Sequence, residues 1–255
     1  MSANETVLYE VSHGVARLTL NRPEKRNALN DDLIGALKKC LRRANDDAEV
    51  RTIVLGGAGS DFCSGADLSA LQKISAASVE ENLADAASMM ELFILIRSIR
   101  QPVIAAVKGR ALAGGCGLAS ACDIVLAARS STFGYPEVRI GFVPAMVMAI
   151  LRRNTSEKRA FELLTLGNQI TADEAVAIGL ANRVIDDEAF DEEVDAFVQQ
   201  FEKTSSSAVA LSKSLLYQID AMSFADALRC GADVNVTARM SEDCKKGIAD
   251  FLHKV

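Results

Sequence analysis

The chain has 255 residues, 49% of them hydrophobic, enough for one large core or for a core with a smaller appendage. Its net charge of −6 excludes a general binder of nucleic acid or of acidic membranes. Cys40, Cys63, Cys116, Cys122, Cys230 and Cys244 form no CxxC pair and no zinc spacing, and histidine is scarce, so no metal site is expected and the thiols read as reduced small hydrophobes of a cytoplasmic protein. Met1 to Thr6 is short and polar, which gives no expectation of a signal peptide, and no apolar run has the length of a membrane span.

In chain order, Val7 to Val11 and Val15 to Leu20 are short runs of partly alternating polarity around His13-Gly14 and read as a hairpin. After the polar turn Asn21 to Asn27, Asn30 is placed to cap a helix to about Arg43, with Leu33, Leu37, Cys40 and Leu41 on its inner face. The strand Arg51 to Leu55 ends in the glycine loop from Gly56 to Ser60 and runs on to Asp67. Leu68 to about Ala77 lacks strong periodicity and is expected to form an adaptable wall. Ser78 and Glu81 make a capping box for a helix toward Arg100, along which Leu83, Ala87, Met90 and Ile94 keep helical spacing. Pro102 ends that helix.

The stretch Gly109 to Glu137 organises the rest. A buried strand, Val103 to Val107, leads to Gly114-Gly115, a small-residue helix, a second apolar strand near Asp123 to Ala128, and Glu137. The Gly114 and Gly115 N–H groups would stand unpaired at the start of that helix, which is half of an anion-stabilising site. Further on, Val143 to Arg153 reads as an apolar helix with a basic end, and Thr171 to Glu174 as a capping box for another, closed by Gly179. Beyond Asp186-Asp187 the chain is helical with few breakers, and Phe190, Val194, Phe197 and Phe201 fall on one stripe. The expected organisation is an α/β core over residues 1–186 and a helical region over 187–255.

Three segments carry a resemblance. LNRPEKRNAL at residues 20–29, FCSGADL at 62–68 and ALAGGCGLASACD at 111–123, in that order, resemble the crotonase (enoyl-CoA hydratase/isomerase) superfamily over essentially the whole chain. The resemblance implies a spiral of repeated ββα units with a C-terminal helical trimerisation region. It implies an acyl-CoA thioester as substrate, coenzyme A arriving as part of it with no separate cofactor, and a homo-oligomer, either a trimer or a dimer of trimers. By position in the motifs, the N–H groups of Ala66 and Gly114 would stabilise the negative charge that develops on a thioester oxygen. Ser64, Asp67, Leu68 and Gly115 would be further substrate-binding positions, though Asp67 and Asp123 read as capping or structural acids rather than proton carriers.

The same resemblance places Lys25, Arg26 and Ala28 at the adenine and phosphate end of coenzyme A, and brings Phe251 and Lys254 to the coenzyme A of a neighbouring subunit. Read from the residues alone, Lys25 and Arg26 equally fit a solvated surface pair, residues 250–255 a solvated tail, and the helical region a cap on a monomer.

Carboxylates decide the chemistry. Hydratases of the family carry two glutamates that hold a water between them. The first of those positions is Gly117 here and the second is Glu137, set among Phe133, Tyr135 and Val138, whose burial of the carboxyl would raise its pKa. One glutamate serves a double-bond shift from 3-enoyl to 2-enoyl-CoA, in which a single base takes and returns a proton. Reversible hydration of a 2-enoyl-CoA then requires Glu137 to handle both the water and the Cα proton, or help from an acid of the 68–91 region. Thioester hydrolysis is a third reading, weakened by Ala145 where the family's hydrolases place an aspartate. A catalytically weak acyl-CoA-binding scaffold is a fourth. Met146 and Met148 suggest an apolar acyl pocket of adaptable shape.

Overall fold

The structure, a computed structural model, describes residues 5–253. β1 (Val7–Ser12) and β2 (Val15–Leu20) form the expected antiparallel hairpin, with His13 and Gly14 both at positive φ to close it in two residues. α1 (Asp31–Asp46) begins where Asn30 accepts a hydrogen bond from the Leu33 N–H, and it buries Leu33, Leu37 and Leu41 completely. At about 1.5–3 kcal/mol for each such side chain, this face alone anchors the helix. β3 (Thr52–Gly57) follows, parallel to β2.

The segment read as aperiodic is a helix, α2 (Leu68–Ala76), whose N-cap is Asp67. The Ser78–Glu81 capping box opens α3 (Val79–Ser98) as expected, but its inner face is Met89, Leu92, Phe93 and Ile96. Leu83, Met90 and Ile94 point outward, exposed. Because α3 is apolar nearly all round, spacing alone does not choose between its faces.

From here the chain steps between two sheets. β4 (Val103–Val107) lies in a six-stranded sheet and β5 (Arg110–Leu112) in a three-stranded one. After α4 (Gly114–Ala121), β6 (Ile124–Ala128) and β7 (Thr132–Gly134) repeat the step one layer further along. Gly109 turns the first corner at φ +61, where a Cβ would lie 1.9 Å from the Ser60 carbonyl oxygen. α5 (Ala145–Asn154), α6 (Glu157–Leu166), β8 (Gln169–Thr171), α7 (Ala172–Ala177) and β9 (Arg183–Ile185) complete the spiral, α7 with the expected capping box at Thr171. The six-stranded order is β1-β2-β3-β4-β6-β9 and the three-stranded order β5-β7-β8. Two isolated parallel bridges, Leu29 to Ala66 and Cys63 to Ala111, lay the earlier loops on the same staircase. The spiral thus stacks all three motif segments against one another.

α8 (Phe190–Val198) packs Phe190, Val194 and Val198 on the back of the sheet against Val15, Val54, Ile104 and Leu126. The first part of the 187–255 region is therefore a layer of the core. α9 (Ser206–Gln218), α10 (Phe224–Met240) and α11 (Glu242–Leu252) follow, and Lys213 is the single buried residue among the described residues from 201 onward. These helices leave Leu216, Phe224, Leu228, Val236, Met240, Ile248 and Phe251 exposed. No helix of the described residues is long and apolar enough to cross a membrane.

Candidate active site

Polar side chains of the first motif brace the second and the loop that leads into it. The Asn27 amide is fully buried and donates to the carbonyls of Ala58 at 2.9 Å and Asp61 at 2.7 Å, while its oxygen accepts from the Arg22 N–H. The Arg22 guanidinium donates to the Ala28 carbonyl and to Asp67 Oδ2 at 2.6 Å. Asp67 Oδ1 in turn accepts from the Ser69 N–H at 3.1 Å. The hydrogen bond from Arg22, with that from Ser69, holds the Asp67 carboxyl below its ordinary pKa. Deeper in, Asp61 takes a bidentate pair from Arg110 at 2.7 and 2.9 Å. Burial opposes its charge, but the hydrogen bonds from Arg110 outweigh this and lower its pKa too. Sequence reading did not single out Arg22, Asn27, Asp61 or Arg110, since their partners are distant in the chain.

This frame presents two backbone donors. Leu29 donates its N–H to the Gly65 carbonyl at 2.7 Å and accepts from the Asp67 N–H at 3.0 Å, so Ala66, between them, turns its own N–H to the other side. Gly114 is the first residue of α4. Neither N–H finds an acceptor among the described residues. A Cβ placed on Gly65 would sit 2.8 Å from Ala113 Cβ and 3.7 Å from the Gly114 nitrogen, so the two loops touch. Ala113 holds φ 51 and ψ −126, a conformation unfavourable for any residue with a Cβ. That torsion turns the following peptide, and with it the Gly114 N–H, out of the loop. Gly115 has to be glycine, because a Cβ there would lie 2.3 Å from the Cys63 carbonyl oxygen.

Glu137 lies in a 3-10 turn, Pro136–Ile140, directly after the fully buried Tyr135. Its Oε2 is buried and takes no hydrogen bond among the described residues. Burial therefore raises its pKa above the ordinary 4.5, only partly offset by a hydrogen bond from its own backbone. The carboxyl lies close enough to the Cys116 thiol and the Tyr135 hydroxyl that its charge pushes both of their pKa values up, adding to the larger effect of burial. Cys116 stands in the first turn of α4, so the acid and the Gly114 donor share one neighbourhood. Gly117, the position without a side chain, has no free space above it. A Cβ there would lie 2.2 Å from Val147 Cγ1 and 3.3 Å from the Phe93 ring.

The remaining candidates are spread around this centre. Ser64 adjoins Arg26, donating its N–H to the Arg26 carbonyl at 3.0 Å, and Ala28 is buried. Lys25 and Arg26 are exposed on the preceding turn. Leu68 opens α2, and Phe251 is exposed on α11, which packs on α9 and α10. Lys254 lies outside the described residues. Asp123 serves the fold: it accepts from the Val103 N–H at 2.6 Å, the Tyr217 hydroxyl at 2.7 Å and the Lys213 ammonium at 2.7 Å. A cavity of about 530 Å³ lies elsewhere, between the segments that follow α1 and α3 and the start of α9, around Arg51, Arg100 and Ser207.

A ββα spiral with its loop amides gathered at one seam defines the crotonase class of fold. The chain belongs to the enoyl-CoA hydratase/isomerase family, whose model matches residues 10–255. It is 39% identical over 240 residues to a Thermus thermophilus protein that carries the enoyl-CoA hydratase name, covering 94% of this chain and 95% of that one. It is 35% identical to the crotonyl-CoA hydratase of Syntrophomonas wolfei, covering 99% and 96%. Among solved structures, the enoyl-CoA hydratase of Mycobacterium smegmatis superposes with a TM-score of 0.94 at 32% identity, covering 98% of this chain and 97% of that one.

Proposed function

We propose that this enzyme moves a proton on the enolate of an acyl-CoA thioester with Glu137 as its single acid and base, and that its reaction is the shift of a 3-enoyl to a 2-enoyl-CoA. The Glu137 carboxylate takes a proton from C2, and the electron pair delocalises onto the thioester oxygen held by the Ala66 and Gly114 N–H groups. The protonated acid then returns the proton to C4, so that the C3–C4 double bond is lost and a C2–C3 double bond is gained. A raised pKa suits a carboxyl that must both accept and give back a proton.

The observation that carries this reading is the lone carboxyl. Gly117 offers no side chain and meets Val147, and two acids of the 68–91 region are already engaged: Glu81 caps α3, and Glu91 pairs with Lys38 at 3.1 Å. Hydration of a 2-enoyl-CoA is the second reading, favoured by the names of the relatives. The test is the conjugated-enoyl absorbance of the protein mixed separately with each isomer. A gain from the 3-enoyl thioester supports the shift; loss of signal from the 2-enoyl thioester without such a gain replaces it with hydration. Coenzyme A contacts from Lys25, Arg26, Phe251 and Lys254, and assembly as a trimer or dimer of trimers, complete the proposal.

A further inference from the structure

Gly117 and Val147 are matched in size. They stand thirty residues apart on α4 and α5, and the matching has a chemical consequence. Gly117 lies one turn along α4 from Gly114, so a side chain there would begin about 5–6 Å from one at the donor position. The Gly114 side of that face meets Leu29 Cδ1 at 3.1 Å and Met89 Cε at 3.9 Å from an added Cβ. The Gly117 side meets Val147 and Phe93. All four neighbours are buried, at 5% exposure for Leu29 and Val147, 6% for Phe93 and 9% for Met89. The wall beside the donor is therefore hydrocarbon. Those four neighbours offer a water no hydrogen bond, and an ordered water needs two to four polar contacts.

We propose that Val147 determines the reaction: its isopropyl group fills the volume that a second acid and its water would require, and so commits the site to a shift of the double bond rather than to addition of water. This rests on the function proposed above. The pair is reciprocal. Gly117 permits valine at 147 in this rotamer, and valine at 147 favours glycine at 117, because an added Cβ would lie 2.2 Å from Cγ1 and 3.2 Å from Cβ, and relieving it takes the valine out of the χ1 rotamer a helix prefers or shifts α5. Reaction specificity is thus set by a residue with no polar atom, through what it excludes.

The test is a cycle of four proteins, wild type, Gly117→Glu, Val147→Gly and the double variant, measured for thermal midpoint and for both reactions. Gly117→Glu alone is expected to lower the midpoint by roughly 5 °C or more through overpacking, with no gain in hydration. The double variant is expected to recover most of that loss and to hydrate a 2-enoyl-CoA about 100-fold faster than wild type, the usual contribution of a positioned acid. Gly117→Ala with and without Val147→Ala repeats the steric half of the cycle should the glutamate variant not fold.

Two results overturn the proposal: a Gly117→Ala protein as stable as wild type, or a double variant folded like wild type with unchanged hydration. Rapid hydration by the wild-type protein overturns instead the function on which it rests, and is read before any variant is made.

Discussion

Asp123 and Glu137 stand on either side of β6 and β7 and meet opposite surroundings. Asp123 is ringed by donors: a backbone N–H, a tyrosine hydroxyl and a buried ammonium, all within 2.7 Å. Glu137 has one oxygen buried with no donor among the described residues, and its neighbours are the Cys116 thiol and the Tyr135 hydroxyl. Donors stabilise a fixed negative charge; their absence leaves the charge costly and the proton exchangeable. The first environment builds structure, and the second is the kind that a proton-transferring acid requires.

Four experiments press on this contrast. The largest effect is expected from Glu137→Gln, which should lower turnover by roughly three to four orders of magnitude while the thermal midpoint stays level or rises, since a desolvated carboxyl is removed. An equal loss in turnover and in stability would mean that Glu137 also holds the fold. Asp123→Asn should do the reverse. It strands the Lys213 ammonium, whose side chain is 7% exposed, and should cost about 3–5 kcal/mol in denaturant unfolding, with the rate per folded molecule retained. Tyr217→Phe removes one of three donors and should cost about 1.5 kcal/mol, again without a change in rate.

The smallest effect concerns pH. Because the folded protein holds the Glu137 proton more tightly than the unfolded chain does, it binds more protons between the ordinary 4.5 and the raised folded value. Stability contributed by that proton is complete below 4.5 and lost as pH rises through the folded value. The stability of wild type relative to Glu137→Gln should therefore fall with rising pH across that window and be level above it. The acid limb of the rate should move upward from 4.5 in the same sense. A difference that stays flat would place Glu137 in water.

Much of the scaffold was legible because its signals are local. The hairpin, the Asn30 cap and the boxes at Ser78 and Thr171 each join residues a few positions apart, and each forms as read. The inner face of α3 was not legible, because its apolar residues surround the axis and only the packed core selects Met89 and Phe93 over Met90 and Ile94. β5, β7, β8 and β9 are three residues each, too short for a period to show. α6 was missed even though Ser156 caps its start and Gly167 its end. Gly114, Ala66 and Glu137 could be singled out from their motifs, whereas the bracing by Arg22, Asn27 and Asp61 depends on partners tens of residues away. Val147 gives no chemical signal in the sequence. Only its approach to Gly117 reveals it.

The Lys213 ammonium donates to the carbonyls of Ile96 at 2.8 Å and Gln101 at 2.9 Å while it pairs with Asp123. An apolar contact tolerates sliding and rolling; hydrogen bonds diverging from one nitrogen do not. α9 therefore leaves the sheet on a fixed bearing, and α10 and α11 inherit it. With the Tyr217 hydroxyl on the same Asp123 as a second rivet and Asp243 of α11 accepting from Ser205 and Ser207 at the start of α9, the helices are aimed by a few polar atoms while the exposed apolar side chains of α10 and α11 stay uncommitted.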